Sequence, residues 1–235
     1  MCTLTFYPKG PQWLVTFNRD ERKERPAAQP PQVYDSPQGQ LWYPRDPQGG
    51  GTWFAVNITQ NRISCLMNGG YVRHVPQPPY RRSRGLIVLE ALTQPDLETW
   101  MQGFEGEGME PFTLMNLDYA HQRVEEYRWT GKVGVLTRHS ARVPQIWASA
   151  TLYEGRGLAW RRMAYQNLLA QHPELTPEQV WNFHLQPTHT LEGEGVCLQT
   201  PHGGTVSVTQ AQISSSSLQL RYQDLLGNET HNRAF

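Results

Sequence analysis

Two short stretches carry the side chains best suited to chemistry: Met1-Cys2-Thr3-Leu4-Thr5-Phe6-Tyr7 at the amino end, and Asn18-Arg19-Asp20-Glu21 a little further on. Methionine aminopeptidases remove Met1 when the next side chain is small, and cysteine qualifies. Processing would leave Cys2 with a thiol and a free α-amine on one carbon, a nucleophile carrying its own base. The reference pKa of an α-amine is about 7.7–8.0 and that of a thiol about 8.5, so proton transfer between them is nearly balanced at neutral pH. The plain alternative is that Cys2 is a small core hydrophobe, the commoner fate of a lone cysteine.

These residues need elements that hold them together. Leu4 and Phe6 alternate with Thr3, Thr5 and Tyr7, which predicts a strand. Pro8-Lys9-Gly10-Pro11 is a turn signal, and Trp13, Val15 and Phe17 then alternate with Leu14, Thr16 and Asn18. The two strands form a hairpin that returns Asn18-Arg19-Asp20-Glu21 to the side of Cys2. Those side chains can hold and orient the amine and bind a substrate anion.

With Cys-Thr-Leu-Thr at the start and Asn18-Arg19-Asp20-Glu21 in the second strand, the chain resembles the NRDE family, also called the Transport and Golgi organisation 2 family. The resemblance continues through Pro44-Arg45-Asp46-Pro47-Gln48-Gly49-Gly50-Gly51-Thr52-Trp53, Ala55-Val56-Asn57 and Leu66-Met67-Asn68. More loosely it reaches Ser83-Arg84-Gly85-Leu86 and the final strands around Val196-Cys197-Leu198 and Thr205 to Thr209. It implies an N-terminal nucleophile (Ntn) hydrolase fold, similar to choloylglycine hydrolases and penicillin acylases: a four-layer αββα sandwich of two antiparallel sheets flanked by helices. Some members are linked to lipid or haem handling rather than hydrolysis. In the resembling hydrolases an asparagine ending a strand helps build the oxyanion hole, and Asn68 matches that place. A second oxyanion position falls in Ala148-Ser149-Ala150-Thr151, where Ser149 departs from the hydrolases' asparagine. The resemblance assigns Cys2 as nucleophile, Asp20 to the amine and Arg19 to the cysteine or a substrate anion. Its alignment is ambiguous by one residue, so Asp20 and Glu21 can exchange roles.

Between these motifs, residues 22 to 52 read as an irregular excursion rich in proline, ending in Gly49-Gly50-Gly51. No GK[ST] follows those glycines, so they are no phosphate loop. Close backbone approach near the nucleophile and an ordinary turn both fit them. Strands are expected at Trp53 to Ile58 and Ile63 to Met67, with Asn57 structural. Tyr80-Arg81-Arg82-Ser83-Arg84 is either a solvated rim or, through Arg81, a receiver of a carboxylate or phosphate. Helices are expected over Leu86 to Leu92 and from Pro95, and a loop from Gly103 to Glu110. Strands should follow at Phe112 to Leu117, Val124 to Trp129, Gly134 to Thr137 and Gln145 to Ser149. Glu154 to Gln171 reads as a helix with Trp160, Met163, Ala164 and Leu168 inward and Arg161, Arg162 and Gln166 outward. Thr176-Pro177-Glu178-Gln179 is a capping box opening a short helix. Strands are expected around Val196 to Thr200, Thr205 to Gln210 and Leu218 to Tyr222, then a disordered polar tail over 226–235.

Composition sets the outer limits. With 21 basic and 21 acidic residues, nothing points to nucleic acid. Three cysteines without CxxC spacing fit a reducing compartment, and no HExxH or His/Cys cluster supports a metal. No apolar run is long enough for an integral membrane segment, and a cytoplasmic protein without a cofactor is the expectation. Strands first, helices in the middle and strands last indicate one α+β domain over residues 1–235. Two functions fit it: a cysteine hydrolase or acyltransferase acting on an amide, ester or thioester, with Asn18, Glu21, Ser149 and Arg81 binding substrate, or a non-catalytic protein that binds a lipid, acyl-thioester or haem-like ligand.

Overall fold

A computed structural model describes residues 2–150, 156–190 and 195–235. The chain divides into two compact units, residues 1–25 with 142–235 and residues 26–141.

The first unit is built on the hairpin of β1 (Cys2–Lys9) and β2 (Gln12–Arg22), in register from Cys2 opposite Arg19 to Lys9 opposite Gln12. The alternation of small, β-branched and aromatic side chains gives each strand two buried faces. β10 (Gln145–Ala148) pairs with β1, and β13 (Gly203–Ile213) runs antiparallel along β2. Beyond β13 lie β12 (Cys197–Thr200) with the two-residue β11 (Pro187–Thr188), and β14 (Leu218–Asp224) with β15 (Glu229–Ala234). Only β11 and β12 pair in parallel among the described strands. A disordered tail is therefore not what forms: residues 229–234 pair with β14, Glu229 opposite Asp224 through Ala234 opposite Gln219. Their polar, charged side chains suit an exposed edge strand, which hides this strand from a search for hydrophobic alternation.

α3 (Arg156–Gln171) and α4 (Pro177–His184) cover one face of this sheet. Tyr7 and Leu14 pack with Leu175 and Val180, and the Tyr165 hydroxyl donates to the Phe6 carbonyl at 3.0 Å. α4 opens on the expected capping box, with Thr176 and Gln179 each bonding the other's backbone, an arrangement contributing about 1 kcal/mol. The face of α3 differs from expectation. Arg161 is wholly buried and Met163 is 53 % exposed, because the inward row runs Gly157, Arg161, Tyr165 and Leu169 at four-residue spacing. The expected start at Glu154 lies outside the described residues.

The second unit is a seven-stranded antiparallel sheet in chain order: β3 (Gln29–Ser36), β4 (Gly39–Arg45), β5 (Phe54–Asn57), β6 (Arg62–Asn68), β7 (Phe112–Asp118), β8 (Arg123–Trp129) and β9 (Gly134–His139). α1 (Gly85–Leu92) and α2 (Leu97–Gln102) pack Ile87, Val88, Leu92 and Met101 against Leu66, Phe112, Tyr127 and Trp129 of that sheet. The excursion expected over 22–52 is in fact largely the hairpin of β3 and β4. Pro30 and Pro31 sit in an edge strand, where a missing backbone N–H breaks no central ladder. Leu41, Trp42 and Tyr43 bury the neighbouring strand. In the glycine run, close approach occurs at Gly51: a Cβ there would lie 2.3 Å from the Gly85 carbonyl carbon at the head of α1. Asn57 is structural as expected, donating to the Gln38 and Leu92 carbonyls and accepting from Gln60 N.

Candidate active site

Cys2 opens β1 directly opposite Arg19, so both side chains leave the same face of the sheet. Its carbonyl accepts the Ser149 N–H at 2.9 Å, which fixes the end of β10 against the Cys2 backbone. Cys2 is only 4 % exposed. Burial pushes its thiol above the ordinary value and the Asp20 carboxylate adds to that, while the Asp20 backbone N–H and the Arg19 guanidinium pull the other way. The thiol is therefore kept protonated, and an attack by sulfur needs a base close at hand.

Asp20 and Glu21 occupy different surroundings. Asp20 is buried, and its Oδ1 accepts the Thr205 hydroxyl at 2.6 Å. Glu21 lies near the surface, with Oε2 3.5 Å from Arg19 Nη2 and 3.6 Å from Arg25 Nε. Asn18 is turned into the core. Its Nδ2 donates to the His184 and Val196 carbonyls, at 2.9 and 3.2 Å, and its Oδ1 lies 2.6 Å from His184 Nδ1. Because an amide oxygen only accepts, Nδ1 of His184 carries the proton, and Nε2 accepts the Thr5 hydroxyl at 2.8 Å. Burial holds His184 down to about 3, so this imidazole is a neutral structural link and no proton shuttle at pH 7.

The structure thus brings Cys2, Arg19, Asp20, Glu21 and Ser149 to one end of the first unit's sheet, with Asn18 behind them. Asn68 ends β6 in the second unit, followed by Gly69 at φ +85°. Arg81, in the same unit, bonds the Glu105 backbone carbonyl and lies 3.5 Å from its carboxylate, while Arg82 grips Glu90 with both nitrogens. Each of these arginines already has an acidic neighbour. Thr205 is the residue that the motifs did not single out. Its partner is 185 positions away, and no local pattern announces it. No group of three or more His, Cys, Asp or Glu side chains able to hold a metal occurs among the described residues. No described helix is long and apolar enough to cross a membrane.

Two glycines set the spacing of strands beside Asp20. A Cβ on Gly204 would lie 2.2 Å from the Leu198 carbonyl oxygen, and one on Gly203 would lie 2.5 Å from that of Glu21. Backbone atoms in a paired sheet cannot swing aside. Gly204→Ala is expected to cost about 3 kcal/mol, read as a lower urea midpoint with an unchanged slope.

The fold and this site define an α+β protein of two mostly antiparallel sheets, with a buried thiol opening a strand opposite an arginine. Residues 1–161 match the family Transport and Golgi organisation 2, and the chain belongs to that family. The matched stretch contains Cys2, Asn18 to Glu21, Asn68, Arg81 and Ser149, and ends before His184, Cys197 and Thr205. No curated protein matches the chain.

Proposed function

We propose that this protein is an N-terminal-cysteine hydrolase or acyltransferase of the Ntn type, acting on an amide, ester or thioester of a small acyl substrate after removal of Met1. The observation that carries the reading is the register of the first hairpin, which sets Cys2 opposite Arg19 and beside the buried Asp20. Cys2 Sγ attacks the carbonyl carbon while its α-amine takes the thiol proton. The C–N, C–O or C–S bond breaks, and the ammonium returns that proton to the leaving group. Water or an acceptor nucleophile then attacks the acyl-thioester and regenerates the thiol. Asp20 holds the ammonium by a charge-assisted hydrogen bond, and its burial favours it over Glu21 for that role. Arg19 faces the thiol and draws its pKa down, or receives a substrate anion.

A second reading is a binding protein that keeps the cysteine without turnover. It is favoured by the low exposure of Cys2 and by the upward pull of burial on its thiol. Intact mass of untagged protein, before and after brief iodoacetamide treatment, separates the two. The enzyme reading expects loss of Met1 and fast, pH-dependent labelling mapped to Cys2. Retained Met1, or labelling of Cys2 no faster than of the buried Cys65 and Cys197, sinks it.

A further inference from the structure

We propose that Thr205 is a positioning residue that orients the Asp20 carboxylate toward the amino end of β1. This rests on the reading of Cys2 as nucleophile and of Asp20 as the partner of its amine. Three observations converge on it.

The first is register. β13 follows β2 residue by residue from Gly203 opposite Arg22 to Thr205 opposite Asp20, then skips Val206 so that Ser207 stands opposite Arg19. In a regular strand Thr205 and Ser207 would share a face. The extra residue gives them partners on opposite faces of β2, and so Thr205 meets Asp20 while Ser207 meets Arg19. A bulge of this kind re-aims a side chain at the cost of one ladder position.

The second is the direction of the hydroxyl proton. Leu198 N–H donates to Thr205 Oγ1 at 2.8 Å and the hydroxyl donates to Asp20 Oδ1 at 2.6 Å, with the Cys197 thiol a further hydrogen-bond neighbour of the same hydroxyl. The chain of donors runs one way, from backbone amide to hydroxyl to carboxylate, and each bond polarises the next. It favours the ionised carboxylate and fixes the oxygen that Thr205 engages, and with it the plane in which the carboxylate lies beside the amino end of β1.

The third is enclosure. Thr205 is 7 % exposed, and Gly203 and Gly204 let the backbones of β2, β12 and β13 approach so closely that water has little room to replace the hydroxyl. The ionisable groups around Asp20 include its chain neighbours Arg19 and Glu21 on β2, Cys2 on β1 and Cys197 on β12.

The test uses the full-length, Met1-processed protein and the second-order rate of iodoacetamide labelling at Cys2 across pH 5–9, with melting temperatures recorded beside it. Thr205→Val keeps the shape and removes the donor. It is expected to slow labelling about ten-fold at pH 7 and to move the acid limb of the profile up by about one pH unit. Thr205→Ser restores the hydroxyl and should return both readouts to within about two-fold of the parent. If Thr205→Val does not fold, Thr205→Ala takes its place with the same expectation. Asp20→Asn separates the two levels. Slow labelling in Asp20→Asn with a parental profile in Thr205→Val overturns the role of Thr205 alone. Parental labelling in Asp20→Asn overturns the reading of Asp20 beneath it. A Thr205→Ser variant as slow as Thr205→Val also overturns the proposal, since packing and not the hydroxyl would then be at work.

Discussion

Cys2→Ala is expected to abolish acyl transfer, lowering single-turnover acylation by an activated ester at least ~10³-fold, because in the proposed chemistry the acyl-enzyme forms on the Cys2 sulfur. The fold should hardly notice. Cys2 is buried at the end of a strand, and deleting one sulfur atom there costs about 1 kcal/mol, well within the stability of a domain. The measurement is the mass of one acyl group, trapped and mapped by peptide. In the parent it should sit on Cys2, and in Cys2→Ala it should be missing at every position, including Cys65 and Cys197. Those two thiols are just as buried, so burial alone cannot account for a difference between the three. An adduct that persists in Cys2→Ala would remove the nucleophile from the proposed chemistry.

The second large effect concerns the core behind the site. Asn18→Leu leaves the carbonyls of His184 and Val196 and the Nδ1–H of His184 without partners in a region closed to water. Each buried group so stranded costs about 1–3 kcal/mol, so a total near 4 kcal/mol is expected in urea unfolding, enough to leave many domains largely unfolded on warming. The same network gives a pH signature. His184 has its pKa lowered to about 3 in the fold against 6.5 in the unfolded chain, so between those values only the unfolded state binds the proton. Stability is therefore full above about pH 6.5 and falls on acidification by about 1.4 kcal/mol per pH unit, about 5 kcal/mol in all by pH 3. Glu126 in the second unit, lowered from 4.5 to about 2 against the burial penalty by hydrogen bonds from His139 and Arg128, adds its own loss only below about pH 4.5. The interval from 6.5 to 4.5 reports His184, and His184→Gln should flatten it.

The parts of this arrangement that could be read in advance are those written locally. Alternation over Thr3 to Tyr7 and Trp13 to Asn18, with a proline-bracketed turn between, returns Asn18 to Glu21 to the side of Cys2, and the register found sets Arg19 opposite it. Thr176 to Gln179 announces α4 through chemistry confined to four residues. Where the deciding partner is distant, the reading fails. Pro30 and Pro31 look like loop residues until β4 is known to bury the one side that needs burying. Arg161 looks like a surface residue because its charge outweighs its place in the row of Gly157 and Tyr165. Thr205 is invisible for the same reason: its meaning comes from a skipped residue in the pairing of β13 with β2. Asn18 is a halfway case. Its position beside Cys2 is legible, but its duty to His184 requires knowing where α4 ends.

The pairing of β2 with β13 has a consequence for timing. The strand that flanks Asp20 is made of residues 203–213, and Thr205 stands 185 positions from its partner. Contacts of such wide sequence separation form late in folding. Until β13 docks, the stretch around Cys2 is thus an open peptide, accessible to the aminopeptidase that the proposed chemistry calls for. Once β13 docks, Cys2 is 4 % exposed and its neighbourhood is closed. On the proposed chemistry, trimming and folding are consequently ordered events, and a chain that folds before it is trimmed would keep its α-amine blocked.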